Sequence, residues 1–342
     1  MKRFSNRDYF QKTGVQMQYE IWQLPVNQLV SSQKLFYHMD PAPQELRQSI
    51  QEVGVLRPVQ VVSVPEEGIL VVDGHRRVHL AQQLHLPQLP CEIYPPEQLE
   101  DLFYQAVHLN QFEGGLSLME KIRVLHRTRE QFSPALFEKL ARRFQFAHLS
   151  RLESFLDDCV ALPEWLQNYF HQQNIHLRML QKVLRFPVAE YQSWLQAAVE
   201  VRWKPAELIT VLEQVRDVAL RENESPEQLW HRLGADTILH SQATAGQKNQ
   251  QLKRVLHTAR YPILTRMEAV LKQEVRVLRQ FFPEGLEVQW DKNLEQPGIQ
   301  LQLQIGRAQE VDTRLTRLGE EKFRQQLRKV LQRLTTLPEE AP

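Results

Sequence analysis

Val71-Val72-Asp73-Gly74-His75-Arg76-Arg77, followed by Val78-His79-Leu80-Ala81, is the stretch on which the reading of this chain turns. A short apolar run ends in Asp-Gly, and two adjacent arginines open a helical pattern. This arrangement suits an anion. The strand delivers the chain, the glycine permits close backbone approach, and the helix start offers unpaired N–H groups beside fixed positive charge. Gly-x-Arg-Arg alone is a weak signal, and the flanking sequence has to carry the rest.

Upstream, residues 43–58 hold Leu46, Ile50 and Val53 at helical spacing, with Gly54 as a C-terminal stop and Arg57-Pro58 leading into a strand over Val59–Val64. Downstream come a second apolar strand (Leu89–Ile93), a helix near 97–110, and Asn110-Gln111-Phe112-Glu113-Gly114-Gly115-Leu116-Ser117-Leu118-Met119-Glu120. Over residues 19–125 the chain resembles the ParB family of DNA-partition proteins, whose N-terminal domain shares a fold with sulfiredoxin. Three segments carry the likeness, in order. They are Ser49 to Pro58 for the family's Ser-Ile-x-x-x-Gly-Val-x-x-Pro, Gly74 to Ala81 for its Gly-Glu-Arg-Arg segment, and Asn110 to Glu120 for its Asn…Leu-x-x-x-Glu. Leu24 to Leu29 resembles its first strand.

The resemblance implies a pocket for a cytidine nucleotide, with CTP and Mg2+ as the expected ligands. Arg76 and Arg77 would meet phosphate oxygens, which fork-shaped guanidinium groups suit. Gly54, Val55, Arg57, Gly74 and His75 would line the pocket, and Asn110 would lie near the metal. The chain also departs from the pattern. His75 stands where the family has Glu, Leu109 where it has a metal-side Glu, and Phe112-Glu113 where it has Gln-Arg. Losing a carboxylate at 109 removes a hard oxygen ligand, with Glu113 as the substitute on offer. Sulfiredoxin chemistry needs a Cys nucleophile directly after the motif glycine, and His75 argues against it. No carboxylate cluster marks a two-metal nuclease.

Composition sets wider bounds. The 342 residues are 42% apolar and 24% charged with a net charge of +1, ordinary for a globular chain of two or three domains. No run has the length of a membrane span. Residues 1–8 lack the apolar core of a signal peptide, so a cytoplasmic protein is expected; the resemblance implies a bacterial one, associated with the nucleoid if it binds DNA. Cys91 and Cys159 are far apart without metal-type spacing and read as buried reduced thiols. Charge is unevenly placed. Lys121 to Arg151 holds eight basic residues against two acidic ones, a local patch suited to phosphate contacts or to a solvated helix face.

From residue 114 strands give way to short helices, several opened by Ser-Pro or Pro. Phe137–Phe144 and His148–Leu156 resemble the two helices of a divergent helix-turn-helix, with Arg142, Arg143, His148, Ser150 and Arg151 as candidate DNA contacts. The turn between them, Phe144-Gln145-Phe146-Ala147, lacks the usual Gly. Beyond a Gly-, Ser- and Gln-rich stretch, a helix from Tyr261-Pro262, strands Leu286–Trp290 and Ile299–Ile305 about a turn with Pro297-Gly298, and a helix over Val311–Leu334 form an α-β-β-α module.

The expected architecture is therefore α+β and multidomain. It comprises a flexible segment (1–18), a ParB/sulfiredoxin-like nucleotide-binding domain (19–113), a helical domain (114–233), a linker (234–255) and a C-terminal module for packing or dimerisation (256–342). The favoured function is DNA binding gated by CTP, in chromosome or plasmid partition or regulation, by a homodimer with a ParA-like ATPase as partner and no membrane. Two alternatives stay open: an interaction scaffold on a degenerate ParB fold, and a nuclease or nucleotide hydrolase. Weak CTP hydrolysis belongs to the latter, and no catalytic residue is nominated.

Overall fold

Alternation of apolar residues builds a five-stranded sheet near the N-terminus. In this computed structural model, residues 20–335 are described, apart from 33, 66, 147, 149, 283–284 and 292–297. Strands β1 (Glu20–Pro25), β2 (Leu29–Val30), β3 (Val59–Val64), β4 (Gly68–Asp73) and β5 (Gln88–Tyr94) lie in the order β1-β5-β3-β4-β2. β1 runs antiparallel to β5, β5 parallel to β3, β3 antiparallel to β4, and β4 parallel to β2. β3 is central, and four of its six residues are valine. Val59, Val61 and Val62 are fully buried. Val59 and Val61, with Val71, Leu89 and Cys91, form a core that takes in Val78 and Ala81 of helix α2 (His75–Gln83). Helix α1 (Gln44–Val53) ends at Gly54, whose left-handed φ of 78° is the stop expected there. Helix α3 (Leu99–Glu113) follows the sheet.

A series of helices then occupies the chain: α4 (Leu118–Gln131), α5 (Pro134–Arg143), α6 (Leu152–Val160), α7 (Glu164–Gln172), α8 (Leu177–Val183), α9 (Gln192–Glu200) and α10 (Pro205–Glu222). The starts of α4 and α5 carry side-chain caps. Ser117 and Glu120 form a reciprocal capping box on α4, and the Ser133 side chain caps α5 with Pro134 at its first turn. α6 differs from expectation. The helix predicted from His148 begins at Leu152, because Arg151 takes a left-handed backbone (φ 66°) and becomes the N-cap. His148, Ser150 and Arg151 are exposed in the preceding turn.

The chain divides into two compact units, residues 1–209 and 210–342. The second holds the end of α10, then α11 (Pro226–Arg232), α12 (Ala235–Leu239), α13 (Ala245–Arg260), α14 (Pro262–Arg279), β6 (Leu286–Trp290), β7 (Ile299–Leu303), α15 (Val311–Gly319) and α16 (Glu321–Thr335). The stretch read as linker contains helices α12 and most of α13. Thr244 and Gln247 supply α13 with a capping box that its polar composition masks. Leu271, Val275 and Leu278 of α14 pack with Leu286, Val288, Phe323 and Val330 around antiparallel β6 and β7. The helix predicted over Val311–Leu334 is broken: α15 ends at Gly319 and Glu320 is extended (φ −63°, ψ 135°). Gly is the weakest helix former after Pro, and it falls where the helix turns. The segments holding Pro283-Glu284 and Pro297, and residues 1–18, lie outside the described residues. Among the described residues no helix is long and apolar enough to cross a membrane.

Candidate functional site

A cleft of about 280 Å³ opens at the start of α2, lined by His38, Leu46, Arg57, Asp73, Gly74, His75, Arg76, Arg77, Leu109 and Asn110. The quoted motif builds its floor. Gly74 is left-handed (φ 97°), and a Cβ there would come 3.0 Å from the Arg77 guanidinium, so glycine is needed for conformation and for space. No side chain caps α2, leaving the first N–H groups of a nine-residue helix to other partners.

The two motif arginines do different work. Arg77 is committed within the protein. Its Nη2 donates to Asp73 Oδ2 at 2.8 Å, and its Nη1 donates to the Arg57 and Pro58 carbonyls. It thereby ties the end of β4 to the entry of β3. Arg76 makes no ion pair among the described residues. Its Nη2 meets His38 Nδ1 at 2.9 Å, and its Nε is buried without a hydrogen-bond partner. His75 is also buried, 5% exposed, with Nδ1 2.7 Å from Ser31 Oγ and Nε2 without a partner. Burial pushes the His75 imidazole down to about 4, with His38 and Arg127 adding repulsion and Asp73 opposing them. The ring is therefore neutral near pH 7.

Of the residues expected to line the pocket, Arg57, Gly74, His75, Arg76, Arg77 and Asn110 are brought together. Gly54 and Val55 stand outside the lining, and Val55 packs against the sheet core instead. His38, Leu46, Asp73 and Leu109 complete the wall without having been nominated. Asp73 had one signal, its i,i+4 spacing to Arg77. His38 had none, because it comes from an irregular segment between β2 and α1.

The fit of a magnesium ion is poor. Mg2+ demands an octahedron of oxygens. Asp73 is the single carboxylate of the lining, and it accepts from Arg77 at 2.8 Å and from Asn110 Nδ2 at 3.3 Å. The Asn110 amide also reaches Tyr37 Oη and the Ala106 carbonyl. Leu109 is aliphatic, and the side chain of Glu113 lies outside the described residues. Elsewhere Asp40, Glu120 and His171 each place a ligand atom within 4.8 Å of the others. Those atoms are already engaged. His171 bonds Asp40 at 2.8 Å and Ser117 Oγ at 2.7 Å, while Glu120 accepts from the Ser117 and Met39 N–H groups. The trio clasps the segment before α1 to α4 and α7.

The nucleic-acid candidates are scattered around α5. Arg142 pairs with Glu138 at 2.7 Å on an exposed face. Arg143 bonds Gln111 at 2.8 Å and lies over the Phe112 ring. Cys91 and Cys159 are both free and buried, and burial pushes the Cys91 thiol up to about 12 and the Cys159 thiol up as well.

The family described as ParB N-terminal domain matches residues 11–107. A probable chromosome-partitioning protein ParB of Vibrio cholerae is 33% identical over 132 residues, 37% of this chain and 44% of that protein. One from Neisseria meningitidis is 27% identical over 190 residues, 55% of this chain and 63% of its own. The chain thus spans about half to under two thirds of the curated relatives it matches. Among solved structures, the C-terminally truncated chromosome-partitioning protein ParB from Caulobacter crescentus, complexed with CTP-gamma-S, is 21% identical over 51% of this chain and 97% of that one, with a TM-score of 0.25.

Proposed function

The chain is a ParB-like family member through its N-terminal domain, and on that premise we propose that it is a nucleotide-gated DNA-binding protein of partition type. The observation that carries the reading is the employment of Arg76. Its guanidinium lines a cleft at an uncapped helix start and carries no carboxylate partner among the described residues. A cation in that position calls for an anion, and the phosphates of a nucleotide supply one. CTP is the nucleotide favoured by the sequence resemblance. DNA would meet the basic surface of α5 and the exposed turn before α6, through Arg142, Arg143, His148, Ser150 and Arg151. The C-terminal α-β-β-α module would pair two copies, and a ParA-like ATPase would act on the assembly.

Calorimetric titration of the full chain with CTP, ATP and GTP tests the pocket. Heat with CTP that vanishes in Arg76→Ala is the expected result, and silence with all three nucleotides overturns the gating. For DNA, affinity should fall steeply with salt, and Arg151→Ala should shallow the log–log slope by about one. Salt-insensitive or absent binding points to the interaction scaffold. One observation favours that second reading for part of the motif: Arg77 is spent on holding the fold.

A further inference from the structure

A nucleic-acid duplex shows a protein the edges of its bases and its phosphates, whereas a single strand also offers each base as a flat ring on a chain of negative charge. The surface that suits a single strand sets exposed aromatic rings among cations. Such a surface runs along α3. Tyr104, His108 and Phe112 are spaced four residues apart and so share one face of that helix. Their rings meet in sequence. Tyr104 and His108 lie 6.1 Å apart between centroids at 30°, and His108 and Phe112 lie 4.8 Å apart at 62°. Helix α5 supplies two cations at the same spacing. Lys139 Nζ sits 3.6 Å from the centroid of the Tyr104 ring, and the Arg143 guanidinium sits 5.5 Å from that of Phe112.

Both ends of this ladder are open to a ligand. Phe112 is 72% exposed despite its contacts with His108 and Arg143, and Lys139 is exposed. Among the described residues neither Lys139 nor Arg143 pairs with a carboxylate: Arg143 Nε donates to the side-chain carbonyl of Gln111 at 2.8 Å, and Glu138, next to Lys139 in sequence, is held by Arg142 at 2.7 Å. A lone exposed apolar residue is ordinary. Here three rings and two uncompensated cations stand in register on neighbouring helices, and charge as well as shape asks for an anionic polymer with flat groups. We infer that the α3–α5 face binds single-stranded nucleic acid, with a base stacked on Phe112 and the backbone phosphates running past Arg143 and Lys139. Phe112 and Lys139 lie outside the residues proposed above to meet duplex DNA, so the strip is a second nucleic-acid surface and does not depend on that reading.

The test is fluorescence anisotropy of the full chain with a labelled oligothymidylate of about 16 nucleotides and with a duplex of the same length. Phe112→Ala should weaken oligothymidylate binding about tenfold, the loss of one base–aromatic stack, and change duplex binding less than twofold. Phe112→Tyr, which keeps the ring, should stay within about threefold of wild type, whereas Phe112→Leu, which keeps only the apolar bulk, should fall with the alanine variant. Lys139→Ala should reduce the salt slope for the single strand by about 0.7. Phe112→Trp adds an indole whose emission should be quenched by the oligothymidylate and not by the duplex, a signature of stacking that a merely structural ring would not give. An oligouridylate of equal length tells RNA from DNA as the preferred strand, and tight binding of either supports the inference. Phe112→Ala binding the single strand as wild type overturns it, and so does equal weakening toward both polymers, which would make the strip part of the duplex surface. Displacement of the oligothymidylate by polyglutamate at equal charge would mark a surface for acidic protein and overturns it too. Absent single-strand binding with duplex binding intact overturns this inference alone, and absence of both overturns the DNA reading with it.

Discussion

Arg76 and Arg77 are adjacent, yet one faces the cleft and the other the fold. Arg77 bridges Asp73 and two carbonyls with a side chain only 13% exposed, so its removal strands a buried carboxylate and two acceptors. Arg77→Ala should cost about 3 kcal/mol, read as a lower urea midpoint at unchanged slope. Arg77→Lys should recover little, because an ammonium cannot span three acceptors in the plane of a fork. Wild-type stability in either variant would show that the bridge is ornamental. Glu120 offers a pH test. Burial would raise its carboxyl, but His38, the Ser117 N–H and the Met39 N–H bring it down from 4.5 to about 2. A depressed carboxylate contributes stability above its unfolded value and loses it as pH falls toward the folded one. Stability should thus drop by about 3 kcal/mol between pH 5 and pH 2. Glu120→Gln should be weaker at neutral pH and flatter across that window, and an unchanged profile would place the acid transition elsewhere. The paired arginines were legible because strand, glycine and helix start are all local signals. Their division of labour was not, since it depends on Arg57, Pro58 and His38, which chain topology alone brings near.

Helix ends show how local chemistry was partly misread. The missing glycine between α5 and α6 suggested an eroded turn. The backbone nonetheless makes the turn, with Gln145 left-handed at φ 65°, the Gln145 N–H on the Arg142 carbonyl and the Phe146 N–H on the Ala141 carbonyl. That is a Schellman ending in which a glutamine occupies the glycine position. Gln145 is exposed, so the substitution Gln145→Gly should relieve the left-handed strain and stabilise the chain by about 1 kcal/mol. Thermal unfolding of that variant checks the geometry, and a lower Tm would mean that residue 145 is not left-handed. The start of α6 was misplaced for the converse reason. Leu149, Leu152 and Leu156 share a helical face from His148 onward, and periodicity records no stop before Leu152. Capping boxes form at Ser117 with Glu120 and at Ser225 with Gln228. That at Thr244 was hidden inside a polar stretch whose composition reads as loop.

The sequence patterns that locate the sheet, the helices and the C-terminal strands are short in range, whereas the cleft draws residues 38 to 110 of one compact unit into a single wall. A ligand bound there should stabilise that unit and not the other, because linkage acts only on the states that contain the site. At a hundredfold excess over Kd the gain is about 2.7 kcal/mol. Hydrogen exchange on the full chain with saturating pyrophosphate should therefore show new protection in α1, α2 and the start of β3, which meet at the cleft through Leu46, Arg76, Arg77 and Arg57. Residues 262–335, with their own core about Phe323 and Val288, should exchange as in the free protein. Protection spreading into that second core would demand a coupling between the units and so a gate that reaches the C-terminal module. Protection confined to the first unit would place the whole of the ligand's effect in the α/β domain and the helices joined to it through Ser117, Glu120 and His38.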